Sequence, residues 1–101
     1  DKLFTQRLSV GLCALYNPAA CESIAFRFDP AIVPYVGLWL CYGGWPAGHP
    51  NRCYTVALEP CNGWPDSLAE AVVRGDCAEL PPHGSMRWSL RLELREGEPR
   101  F

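Results

Sequence analysis

Val36-Gly37-Leu38-Trp39-Leu40-Cys41-Tyr42 and Arg52-Cys53-Tyr54-Thr55-Val56-Ala57-Leu58-Glu59 are the two stretches whose reading decides the fold. Each alternates with a period of two, the spacing that sends successive side chains to opposite faces of a strand. In the first, Val36, Leu38 and Leu40 make an aliphatic side, and Gly37, Trp39 and Cys41 make a side of two small residues and one large ring. In the second, Tyr54, Val56 and Leu58 oppose Cys53, Thr55, Ala57 and Glu59. Small residues bearing a single acid describe the floor of a groove better than the inside of a packed core. The runs lead into the corners Gly43-Gly44-Trp45-Pro46 and Asn62-Gly63-Trp64-Pro65, where glycine and proline punctuate the chain.

Working outward, Ser23 to Asp29 alternates as a half-buried strand, with Ile24, Phe26 and Phe28 on one side. Leu3 to Leu8 and Val10 to Tyr16 read as further strands, separated from it by the Asn17-Pro18-Ala19-Ala20 turn. Met86 to Leu94 gives the clearest alternation of all: Met86, Trp88, Leu90, Leu92 and Leu94 against Arg87, Ser89, Arg91 and Glu93, with the charged side expected in water. Cys77 to Leu80 reads as a brief strand, and the tail from Glu96 as frayed. One short helix is expected, opened by Ser67 with Glu70 at capping-box spacing and closed by Gly75. The pattern predicts a mainly β protein, an antiparallel β-sandwich with one short helix.

Composition narrows the function. A chain of 101 residues is a single domain, 1–101, with 49% hydrophobic and 20% charged residues, as in folded globular proteins. A net charge of −2 with no basic cluster speaks against nucleic-acid binding. No apolar run reaches a membrane span, so no membrane partner is expected. No signal peptide is visible, and the six cysteines lack C-x-x-C spacing; reduced thiols and a cytoplasmic location are expected. The start at Asp1 rather than Met suggests a piece of a longer protein.

Glu59 is the candidate catalytic residue. Proton transfer at a sugar's anomeric hydroxyl needs a carboxylate in a partly desolvated site, and a strand end followed by Pro60 is a rigid platform. On composition alone the same acid reads more readily as a strand-end carboxylate in solvent, or one paired with Arg52 or Arg74. Trp39, Trp45 and Trp64 are candidate substrate-binding residues, because flat rings stack on the apolar face of a pyranose. Core packing is the competing role, most of all for Trp39. Asp66 would orient a hydroxyl or join Glu59 in a two-carboxylate arrangement, or else simply face the helix start. Glu70 belongs to the cap, and His49 and His83 read as surface histidines. No spacing matches a zinc site or a phosphate loop, so no metal or cofactor is expected.

Taken together, Val36-Gly37-Leu38-Trp39, Gly43-Gly44-Trp45-Pro46, Ala57-Leu58-Glu59-Pro60 and Pro65-Asp66-Ser67-Leu68-Ala69-Glu70-Ala71 resemble the C-terminal part of the aldose 1-epimerase (galactose mutarotase-like) family. Leu80-Pro81, Gly84 and Trp88 are similar to that family's turn into its last strand. The resemblance covers roughly Asp29 to Glu96. It implies a larger β-sandwich of which this chain is the C-terminal part, holding a small-molecule sugar. It also implies a base at Glu59 and interconversion of α and β anomers with a histidine acid. Neither His49 nor His83 matches that histidine, so a piece lacking it would bind sugar without turnover. Such a piece would also expose sheet edges that favour self-association. A carbohydrate-binding module without catalysis and a purely structural sandwich domain are the alternatives.

Overall fold

The computed structural model describes all 101 residues. Six strands and one helix follow in the order β1 Lys2–Phe4, β2 Leu12–Asn17, β3 Glu22–Phe28, β4 Tyr35–Tyr42, β5 Tyr54–Cys61, α1 Leu68–Arg74 and β6 Leu90–Glu96. They form two antiparallel three-stranded sheets, ordered β1-β4-β5 and β2-β3-β6. The protein is mainly β and sandwich-like, as the alternation predicts.

Local chemistry sets the turns. The Asn17 side chain accepts hydrogen bonds from the amides of Ala19 and Ala20 at 3.1 and 3.4 Å, folding β2 back onto β3. Asp29 does the same for Ala31 at 2.9 Å, and its carbonyl accepts from Ile32 and Val33. Ser67 caps α1 by accepting from the Glu70 amide, and Gly75 ends it at a φ of 71°, a left-handed value suited to glycine. The reciprocal half of the capping box does not form: the Glu70 carboxylate turns instead to Arg74, one helical turn on, at 2.8 Å.

The two sheets meet through Val36 and Leu58 on one side and Phe26, Phe28 and Cys13 on the other, joined by Leu8, Ile32 and Val33. This core is small, with ten of 101 residues buried. A hollow of about 370 Å³ opens between the sheets, bordered by Phe28, Val33, Pro60, Trp88 and Leu90. Because Val36 and Leu58 point inward, the side of the first sheet that carries Gly37, Trp39 and Glu59 points away from the second sheet.

Five expectations are corrected. The first strand spans only Lys2–Phe4, and the second begins at Leu12, after a bend at Ser9 and Val10 in which the Leu12 amide donates to the Val10 carbonyl. Cys77 to Leu80 is irregular, followed by two prolines and beside no strand partner. The last strand covers Leu90–Glu96 rather than beginning at Met86. Its partner β3 ends at Phe28, opposite Leu90, so Met86 and Trp88 have nothing to pair with. Nor is the charged side of β6 the only wet one, although Arg91 and Arg95 are exposed there as expected. Glu93 is well covered, gathering Arg27 at 3.1 Å, Arg91 at 3.3 Å and Arg95 at 3.5 Å, while Leu90, Leu92 and Leu94 are exposed. Finally, the tail is tethered: the Gly97 amide donates to the Cys21 carbonyl at 2.6 Å, and Arg27 donates to the Arg100 carbonyl at 3.0 Å.

Candidate functional site

The outward side of the first sheet is built by register. Gly37 on β4 lies between Phe4 on β1 and Glu59 on β5, and Trp39 lies between Lys2 and Ala57. Opposed residues share a face, so Lys2, Phe4, Gly37, Trp39 and Glu59 stand together. Glycine at position 37 has a specific consequence. With no side chain in the middle strand, Lys2 reaches diagonally from the first strand across to the third and forms an ion pair with Glu59. Any Cβ there would sit 3.3 Å from both the Glu59 Oε2 and the Lys2 Cε.

Asp66, from the turn before α1, brings its Oδ1 to 3.7 Å from the same Lys2 Nζ. Glu59 and Asp66 are therefore drawn together, with the ammonium between them. The Glu59 hydrogen bond raises the Lys2 pKa above its ordinary 10.5; partial burial opposes this, and the charges of Glu59 and Asp66 add to it. Glu59 pairs with neither Arg52 nor Arg74. Arg52 donates to the Gly43 carbonyl, and Arg74 holds Glu70 while stacking over the Trp64 ring at 5.0 Å.

Two aromatic groups flank these charges. On one side Trp39 and Trp45 meet edge to face, with ring centroids 5.9 Å apart. They line a hollow of about 520 Å³ with Lys2, Cys41 and Gly44, within the size range of small-ligand sites. Trp45 is 57% exposed, leaving most of its ring free. On the other side Trp64 packs on Phe4 and Tyr35, at 6.1 and 6.4 Å between centroids. The Tyr35 hydroxyl donates to Asp76 at 2.6 Å, and that bond raises its pKa. The three tryptophans thus do not make one continuous wall: Trp39 and Trp45 form an accessible pair, and Trp64 anchors the turn that carries Asp66. Asp66 also borders a smaller hollow of about 190 Å³ beside α1.

The largest hollow, about 650 Å³, lies on the other sheet among Leu15, Ile24 and Leu94. Its lining mixes these aliphatics and Tyr16 with the charged Glu22, Arg95 and Glu96 and holds no indole ring, so volume alone does not make it the better site. No three His, Cys, Asp or Glu side chains converge as metal ligands would. His49 bonds to Asn51 within its own loop, and His83 sits at an exposed turn. All six cysteines are free thiols; Cys41 is buried and Cys21 exposed.

Lys2 and Phe4 are the site residues that sequence reasoning misses. The only available signal is indirect: a glycine in the middle of β4 marks a place where some other group approaches closely. No protein-family model, curated protein or solved structure matches this chain.

Proposed function

We propose that the chain is the sugar-binding portion of an aldose 1-epimerase-like protein, with Glu59 as the base that takes the proton from an anomeric hydroxyl. The observation that carries this reading is the meeting of Glu59 and Asp66 around Lys2, beside a hollow walled by Trp39 and Trp45. Carboxylates and an ammonium supply acceptors and donors for sugar hydroxyls, and the indoles supply the apolar surface for ring C–H groups. Self-association and a cytoplasmic setting belong to the same proposal; no helix is long and apolar enough to cross a membrane.

One feature favours the alternative of a carbohydrate-binding module without catalysis. Glu59 is held by Lys2, whose raised pKa makes it a poor proton donor near neutrality, and both histidines lie in loops of their own. The chain by itself then binds but does not turn over. Titration of the chain with an aldohexose, followed by tryptophan emission, tests this. The emission responds in the wild type, and the response is lost in Trp39→Ala and Trp45→Ala, while polarimetry shows no acceleration of mutarotation. In a longer protein that supplies an acid, Glu59→Gln lowers the mutarotation rate by roughly 10²–10⁴-fold and leaves binding largely intact. An emission spectrum indifferent to every aldose tried would leave only the structural reading.

A further inference from the structure

The second sheet ends in an unguarded strand. β6 pairs with β3 along one edge and with nothing along the other. Natural edge strands are usually blunted by proline, a bulge or an inward-pointing charge. β6 has no proline, and Arg91, Glu93 and Arg95 lie on the side away from its leucines, with a charge on the leucine side only at its last residue, Glu96. Leu90, Leu92 and Leu94 are 40%, 51% and 73% exposed.

The molecule as a whole carries surplus surface. Its solvent-accessible area is 7473 Å², whereas a monomer of 11.3 kDa is expected to show roughly 5,700 Å². The radius of gyration is 16.0 Å, against about 13 Å for a compact chain of this length. The surplus is about twice what one partner contributes to a standard interface of roughly 800 Å² per side. There is ample area to bury, and β6 offers both free backbone groups and apolar side chains.

Resting on the self-association put forward above, we propose that two copies of this chain pair through β6, antiparallel about a two-fold axis, with Leu92 opposite Leu92 of the partner subunit. The register follows from the sequence Leu90-Arg91-Leu92-Glu93-Leu94-Arg95. Pairings that mix the two faces set leucine against charge and are excluded by the pleat. A pairing centred on Glu93 sets that acid against itself and Arg91 against an arginine. One centred on Arg91 stacks two guanidinium groups. Centring on Leu92 places Arg91 opposite Glu93 of the partner subunit, twice by symmetry, and Leu90 opposite Leu94 of the partner subunit. Opposite charges and leucine pairs across strands are favourable, and like charges are not. Arg91 is free to reach across, being 77% exposed with only its own-strand Glu93 as an ion-pair partner. The result is one six-stranded sheet with a ladder of six leucines.

Sedimentation equilibrium on the intact chain tests the pairing. The wild type forms a reversible dimer. Arg91→Glu raises its dissociation constant by roughly tenfold or more, since two attractive contacts become repulsive, with an unchanged far-UV circular dichroism spectrum. Leu92→Cys, lightly oxidised, links to its own counterpart in the partner, read as a single cross-linked peptide by mass spectrometry. A chain still monomeric near ~1 mM overturns the proposal, as does an open series of larger species instead of a closed dimer. A dimer indifferent to Arg91→Glu places the contact elsewhere, and one tightened by it selects the Glu93-centred register; either result refutes the pairing.

Discussion

Gly37→Ala and Gly11→Ala add the same methyl group to the same kind of residue, and the structure assigns them opposite outcomes. At position 37 the new Cβ meets the Glu59 Oε2 at 3.3 Å, the Lys2 Cε at 3.3 Å and the Phe4 Cε1 at 3.4 Å. The first two are ends of flexible side chains, 41% and 27% exposed, and can give by a few tenths of an ångström. Loosening their ion pair costs roughly 0.5–1 kcal/mol, because solvent already screens it. Replacing glycine by alanine within a strand returns roughly 0.5–1 kcal/mol. The net change is within about 0.5 kcal/mol. At position 11 the Cβ falls 1.8 Å from the Phe28 carbonyl oxygen and 2.7 Å from its carbon. That is backbone, at the end of β3, and the Phe28 amide donates to the Gly11 carbonyl at 3.0 Å. The strand must move, which adds overpacking strain and a lost hydrogen bond, roughly 2–4 kcal/mol together. Thermal unfolding followed by far-UV circular dichroism measures both, and the second variant should lose at least about 10 °C in Tm. A cost above about 2 kcal/mol for Gly37→Ala would mean that the notch over β4 is rigidly packed, and a silent Gly11→Ala would remove the β2–β3 approach itself.

Two other measurements probe the site and the core. Lys2→Met should cost no more than about 1 kcal/mol at neutral pH. Its pH dependence carries the information: a raised folded pKa gives stability that is complete below 10.5 and lost as pH rises through the folded value. Stability measured above pH 10.5 should therefore fall more steeply in the wild type than in the variant, and parallel curves would deny the Lys2–Glu59 bond. Thiol alkylation at pH 8 should modify the exposed Cys21 first and Cys13 far more slowly, since burial pushes the Cys13 thiol up to about 11. Equal rates at the two positions would contradict the placement of Cys13 against the core.

The parts of this fold that are legible in the sequence are those in which neighbours in the chain decide the outcome. Alternation from Val36 to Tyr42 and through Leu58 gives strands and the correct faces, and Ser67 with Gly75 gives the helix ends. β6 shows where such reasoning stops. The clean alternation from Met86 predicts a strand, but a strand exists only where a partner runs alongside, and β3 ends at Phe28. Alternation likewise identifies two faces without saying which is covered. Leu90, Leu92 and Leu94 lie opposite Phe28, Phe26 and Ile24, on the side that faces the first sheet, yet remain exposed, while Arg27, from a distant strand, draws Glu93 into a charge cluster. At the candidate site, the sequence places Glu59 on the side of small residues, but its neighbours Lys2 and Phe4 arrive through a strand pairing that spans 30-odd residues of chain.

That remote pairing decides what the carboxylate can do. A slip of one residue in β1 would turn Lys2 inward and set Leu3 beside the acid, because the side-chain period is two. In the observed register the ammonium sits on Glu59, and under the proposed function a sugar hydroxyl has to displace it before Glu59 can act as a base. Asp66 makes that exchange inexpensive. It lies 3.7 Å from the Lys2 nitrogen, so the cation keeps a carboxylate beside it as it leaves Glu59. A lone Lys–Glu pair would resist a neutral ligand, whereas two acids sharing one cation leave one of them available at all times. The glycine at 37, the short first strand and the turn that carries Asp66 are thus parts of a single arrangement, and the role proposed for Glu59 depends on all three.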